Sequence, residues 1–175
     1  MDILAIIVTI VLLCFIVFVL VFYVLMLFGF VYGAPFVPTS SKRVKNMIEL
    51  AKPKPGEVWI DIGSGDGRVM IAAAKAGARA IGYEIHPYLV ALTKIKIWLN
   101  GLKGKAEVKM VNFWPINLSE ADIVSVYLLP EKMDRLQRKL EDELKPGCRI
   151  VSNAFNFPGW TPVAEMDRVK LYRKQ

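Results

Sequence analysis

From Ile3 to Val31 the chain has no charged residue and is built mostly of Ile, Val, Leu and Phe. About 20 apolar residues in a helix cross a hydrocarbon layer roughly 30 Å thick, so the run is long enough to span with tilt to spare. It predicts an anchor over residues 1–32 that contacts the lipid bilayer through residues 3–31. The alternative is a cleaved signal peptide, but those open on basic residues and hold only about 7–15 apolar ones. Here the start is Met1-Asp2 and the run is far longer. The positive mean hydropathy of the whole chain, +0.39, thus describes the anchor and says little about the rest.

Charge sets the orientation. No Lys or Arg precedes the run, whereas Lys42, Arg43 and Lys45 follow it closely, and basic residues beside a span mark its cytoplasmic side. All 23 Lys and Arg and 15 of the 16 Asp and Glu lie after residue 41, a net +8 for that part. Such a surface suits anionic headgroups, nucleic acid or an acidic protein, and equally a plain solvated exterior. Cys14 falls in the apolar run and Cys148 at a strand start. The pair makes neither a disulfide framework nor a metal-type spacing, so a stapled extracellular module is disfavoured and no metal is expected.

Residues 33–41 read as a linker rich in Pro, Gly and hydroxyls, in which Thr39, Ser40 or Ser41 caps a helix. That helix carries Val44, Met47, Ile48 and Ala51 on one face and opens a domain over 42–175. Strands are predicted at 58–62, 80–84, 107–111, 123–128 and 149–155, with helices at 68–75, 87–99 and after residue 130. Segments 163–166 and 169–173 form a closing hairpin. Strand–helix alternation means an α/β fold, a parallel sheet covered by helices on both faces. Right-handed crossovers put the glycine loop after the first strand at the carboxyl edge, where ligands of such folds bind.

That loop reads "DIGSGDGR", Asp61 to Arg68. The glycines permit a tight turn and close approach of backbone to a ligand, and the next helix offers its N-terminus to an anion. Spacing at Gly63, Gly65 and Gly67 misses the G-x-G-x-x-G of dinucleotide sites. An acid at the strand end facing a helix N-terminus instead suits a zwitterion such as a methionine moiety. Glu84, ending the next strand, can accept ribose hydroxyls. Ile85 can lie along a purine face, and Asn112 and Phe113 can reach an adenine edge. Together with Ser64 and Asp66 in the loop, these residues spell a site for S-adenosylmethionine (SAM). Arg68 is assigned to ordering the loop.

The stretch resembles motif I of the class I, seven-strand SAM-dependent methyltransferases, with Glu84 as their second acidic position. The resemblance implies a Rossmann-like sheet with a terminal antiparallel hairpin. Asn112 departs from the aspartate common at its position, though its carbonyl can still accept from an amino group. "PFVPT" at Pro35 to Thr39, "LPEKMDRLQRKLEDEL" after the fourth strand and "FPGWTP" at Phe157 to Pro162 resemble a family of small membrane-anchored lysine methyltransferases. Its mitochondrial members modify the c-subunit of ATP synthase and the adenine nucleotide translocase, and related short proteins occur in prokaryotes. The resemblance implies a protein-lysine N-methyltransferase acting on a membrane-associated protein. No Arg- and Ser-rich transit segment precedes the anchor, which points to a prokaryotic plasma membrane; a eukaryotic member would sit in the mitochondrial inner membrane.

The acceptor pocket is expected where the fourth strand ends, with Tyr127, Pro130 and Glu131 beside the methyl group. "LLPE" lacks the [DNS]-P-P-[YFW] pattern of enzymes that methylate base amino groups, which argues against nucleic acid. Glu131 either orients an ammonium or accepts its proton, or is favourable end-charge on a helix, and Tyr127 either lines the pocket or packs in the sheet. Asn153, Phe155, Phe157 and Trp160 make an aromatic–amide cluster that holds an amine or packs under the hairpin. Thr39 closes over SAM or serves only as a cap. Trp59 and Trp98 are assigned to packing, and His86 to a helix start. Two other functions fit the same motifs: methylation of a lipid, quinone or other small hydrophobic acceptor, and SAM binding without catalysis.

Overall fold

A computed structural model describes residues 2–32 and 36–175; linker positions 33–35 lie outside it. Its first unit contains one helix among the described residues, α1 (Ile3–Tyr32). Ile3–Val24 alone makes 22 residues at mean hydropathy 3.5, long and apolar enough to cross a membrane by length and composition.

The second unit, Val37–Gln175, begins with α2 (Ser41–Ala51), whose cap among the three hydroxyl candidates is Ser40, accepting the Arg43 N–H. Lys52 then turns left-handed at φ 46° and stops the helix before Pro53 and Pro55. There follow β1 (Val58–Ile62), α3 (Arg68–Lys75), β2 (Arg79–Glu84), α4 (Pro87–Leu99), β3 (Ala106–Met110), β4 (Ile123–Val126), α5 (Pro130–Glu143), β5 (Arg149–Asn153), β6 (Ala164–Met166) and β7 (Val169–Arg173). They build one seven-stranded sheet in the order β3-β2-β1-β4-β5-β7-β6. The first five strands are parallel, and β7 inserts antiparallel between β5 and β6. The hairpin implied by the resemblance is therefore present. Strands β4 and β5 end at Val126 and Asn153, two residues before the expected limits, which frees Tyr127 and Phe155 from the ladder.

Alternation along the strands fills two layers. Trp59, Ala80, Val108, Ile123 and Val151 face one side and pack with α2, α3 and α4. Ile60, Ile62, Ile81, Val124, Val126 and Ile150 face the other and meet Met133, Leu136 and Leu140 of α5. Trp59 is fully buried, as assigned, but Trp98 is 73% exposed. The core face of α4 is Leu89, Val90, Thr93 and Ile97. Trp98 follows Ile97 by one residue, a rotation of about 100° on a helix of 3.6 residues per turn, and so points outward.

Register brings three strand ends together. Ile62 pairs with Val126 and Val126 with Ser152, so Gly63 and Tyr127, just past their strands, come side by side with Asn153, the last residue of β5, at the carboxyl edge.

Candidate active site

The loop after β1 turns on three left-handed glycines, Gly63 (φ 67°), Gly65 (φ 55°) and Gly67 (φ 78°). Only glycine adopts that region without steric cost, which explains the spacing. At Gly67 contact adds to conformation: a Cβ there would stand 2.4 Å from Cγ2 of Thr93 on α4.

Neighbouring elements hold the loop. The Ser64 N–H donates to the Tyr83 carbonyl at 3.0 Å, and the Thr93 hydroxyl donates to the Gly65 carbonyl at 3.1 Å. Asp66 accepts two of the three Arg68 guanidinium nitrogens at 2.8 Å and the Lys96 ammonium at 2.6 Å. Burial raises its pKa, but these cations more than reverse that and hold it at about 2. Asp66 is thereby committed to bracing the loop against α4. Arg68 orders the loop as assigned and donates further, to the Thr39 carbonyl at 2.6 Å.

Glu84 closes the second side. Its Oε2 accepts the Gly65 N–H, and its Oε1 accepts the Ile85 and His86 N–H groups, all at 2.8 Å. A carboxylate offers about four acceptor positions, so one remains for a ribose hydroxyl; a second hydroxyl must displace a backbone donor. Ile85 is half-buried beside it. Asn112 is exposed and its Oδ1 accepts the Trp114 N–H at 3.1 Å, while the Phe113 ring packs against that of Trp114 at 4.7 Å.

Asp61 is 5% exposed. Its Oδ1 accepts the Ser125 hydroxyl at 2.6 Å, and Ser125 accepts the Trp59 indole N–H at 2.7 Å. This relay was not foreseen, although a lone serine in the apolar strand "IVSV" needed a buried partner. Burial pushes the Asp61 carboxyl up to about 7; the Ser125 hydroxyl opposes this, and the charges of Glu84 and Asp66 add to it. Among the described residues its Oδ2 has no partner in full hydrogen-bond geometry, although the backbone N–H of Met70 also lowers the pKa of this carboxyl, and Ser64 Oγ and Asn153 Oδ1 likewise have none, all buried. An orphaned buried polar atom costs about 1–3 kcal/mol. Unpartnered acceptors at the ends of β1 and β5 fit a ligand that brings an ammonium, as the amino-acid end of SAM does.

Thr39 is tied at both ends, by Arg68 to its carbonyl and by the Asn153 amide to its hydroxyl at 3.1 Å. Cap duty belongs to Ser40, so Thr39 is free to join the site. Tyr127 and Phe155 stack at 6.0 Å with planes 22° apart. Pro130 and Glu131 are exposed on the first turn of α5. Phe157 and Trp160 do not join this pair. Phe157 is 1% exposed and packs on Trp160 and Tyr172, and the Trp160 indole donates to Glu141 of α5. Both pin the hairpin to α5, because the turn at Phe157–Trp160 folds back over the helix and not toward the strand ends.

The comparisons agree with this arrangement. The ANTKMT methyltransferase domain matches residues 61–164. The lysine N-methyltransferase of the ATP synthase c-subunit from Rattus norvegicus is 41% identical over 128 residues, 73% of this chain and 59% of that protein; the chain thus spans little more than half of that relative's length. A protein-lysine N-methyltransferase of Saccharolobus islandicus is 40% identical over 136 residues, 77% of this chain and 84% of that protein. Among solved structures, an RNA methyltransferase from Salinibacter ruber in complex with S-adenosyl-L-homocysteine superposes with a TM-score of 0.73 at 35% identity, over 79% of this chain and 92% of that one. The loop, the strand order and these matches lead to one conclusion: the chain belongs to the ANTKMT methyltransferase domain family, with SAM as its cofactor.

Proposed function

We propose that this chain is a protein-lysine N-methyltransferase held at a membrane by α1, its domain on the cytoplasmic side and its acceptor a membrane-associated protein. The observation that carries the reading is the stacked pair Tyr127–Phe155 at the strand ends beside Gly63 and Asn153. When bound, SAM supplies a methyl group on a positively charged sulfur. The chain's residues have to bring the acceptor nitrogen into line, since near-attack placement accounts for much of the rate, and to bring it there without its proton. Aromatic faces attract an ammonium to the mouth, and burial against them disfavours the charged form. The proton then leaves to water, with no strong base needed; Glu131, exposed on the α5 first turn, serves as end-charge. Protein-lysine names among relatives at about 40% identity support the same acceptor.

The neighbour described as an RNA methyltransferase, with the net +8 after residue 41, favours RNA as a second reading. Against it stands Leu128-Leu129-Pro130-Glu131, which lacks the polar head and second proline of base-amine methylating sites. Incubating the full chain and labelled SAM with membranes of a strain lacking it separates the readings. A labelled protein band, with methyl-lysine on hydrolysis, supports the first. Label in RNA supports the second, label in the organic phase a lipid or quinone acceptor, and no label SAM binding alone.

A further inference from the structure

Helix α4 is apolar on two faces, and the domain covers one of them. Leu89, Val90, Thr93 and Ile97 are buried. On the opposite side Tyr88 is 60%, Ile95 54%, Trp98 73% and Leu99 68% exposed, with exposed Ala91 between them. Their spacing of three, four and seven residues places them on one stripe. A contiguous exposed apolar surface of this kind marks an interaction site.

The residue types and charges identify what covers it. Trp and Tyr concentrate at membrane–water interfaces, where one edge of the ring is apolar and the other wet. Between Glu84 and Glu107 there is no acidic residue, but there are four lysines, Lys94, Lys96, Lys103 and Lys105. Lys96 turns inward onto Asp66; the other three are exposed. An apolar helical stripe rimmed by lysines and free of acids is the pattern that lies in the interface of anionic lipid. A second copy would set like charges against one another.

We propose that the outer stripe of α4 docks onto an anionic bilayer surface, with Trp98 at headgroup depth. The proposal rests on α1 as the anchor, which brings the domain to that surface. Docking turns a tether into a fixed orientation, so that the active-site edge samples lysines at one height above the membrane.

The anchor is silent to the test, because Trp59, Trp98, Trp114 and Trp160 are the chain's only tryptophans. The full chain is reconstituted into phosphatidylcholine–phosphatidylglycerol vesicles brominated high on the acyl chain, then checked by flotation. Wild type should show a quenched fraction of tryptophan emission that Trp98→Phe removes and Trp114→Phe keeps. Trp114 lies on the α5 side, under Arg135. Ile95→Glu with Leu99→Glu should abolish quenching while the chain still floats, and phosphatidylcholine alone should weaken it. Flotation without Trp98-dependent quenching overturns the docking and leaves the anchor standing; Trp98 shielded by a cross-linkable second copy does the same. A chain that fails to float overturns both.

Discussion

Ser125 donates its hydroxyl to Asp61 at 2.6 Å while accepting the Trp59 indole at 2.7 Å, so one buried hydroxyl aims the acid that ends β1. Ser125→Ala removes the partner of both groups without changing the strand's shape. Two buried polar atoms are then stranded, each at about 1–3 kcal/mol. Urea unfolding should show a loss of about 2–6 kcal/mol, twice the single-atom cost, with unchanged dependence on denaturant. A Ser125→Ala chain as stable as wild type would mean the relay carries no free energy.

The Asp61 carboxyl titrates at about 7 in the fold against 3.8 ordinarily. The native state therefore binds its proton more tightly than the unfolded chain does. This contribution is complete below pH 3.8 and is lost as pH rises to about 7, so the ligand-free protein should become less stable across that window. Asp66 runs the other way: its pKa of about 2 gives stability present above pH 3.8 and lost as pH falls through 2. An ammonium beside Asp61 selects the ionised form, so SAM affinity should drop about tenfold per pH unit below 7. Calorimetry in buffers of differing ionisation heat should find proton release on binding at pH 6, and Asp61→Asn should abolish it.

Much of this site was legible because its devices are local. Three left-handed turns demand glycines at Gly63, Gly65 and Gly67, and an alternating pattern announces each strand. Asn153, Tyr127 and Phe155 follow from their positions at strand ends and Thr39 from its place in the linker, and the register does bring Tyr127 and Asn153 beside Gly63. What stayed hidden depends on direction across space. Glu84 spends three acceptor positions on backbone amides, and Asp66 is taken by Lys96, thirty residues on. Neither follows from spacing. Phe157 and Trp160 differ from Phe155 only in which side of the turn they leave. Trp98 misled because a large aromatic suggests core, whereas one residue of helical rotation decides the matter.

Glu84 works before any ligand arrives. Its bonds to Gly65, Ile85 and His86 tie the glycine loop to the start of α4. Glu84→Gln keeps the size but points an amide –NH2 at backbone donors on one side. Hydrogen bonds to charged groups contribute about 1.5–3 kcal/mol, so the melting temperature should fall in the absence of SAM as well as the affinity for it. Weakened binding at unchanged apo stability would confine Glu84 to the ribose.

Tyr127 is proposed to hold the acceptor by its ring face, not its hydroxyl. Tyr127→Phe should then keep kcat/KM within a few-fold. Tyr127→Ala removes the ring that stacks on Phe155, so the amine keeps its water and its proton. Its KM should rise, and the pH optimum should move upward because a solvated lysine loses its proton only near its ordinary pKa of about 10.4. Equal loss in both variants would give the role to the hydroxyl.

Gly67→Ala separates two costs that coincide at one residue. A side chain at φ 78° carries left-handed strain of about 1–2 kcal/mol, and its Cβ would also strike Thr93 at 2.4 Å. Thr93→Ala removes the two nearest obstructing atoms and leaves only its Cβ at 3.2 Å, and it also removes the Thr93 hydroxyl's bond to the Gly65 carbonyl. In a double-mutant cycle, Gly67→Ala should therefore cost less in the Thr93→Ala background than in wild type. The difference measures the collision with the Thr93 methyl and hydroxyl, and what remains is backbone strain plus the residual contact with the Thr93 Cβ. If the two substitutions simply add, Thr93 does not confine the loop, and Gly67 is required for its φ alone.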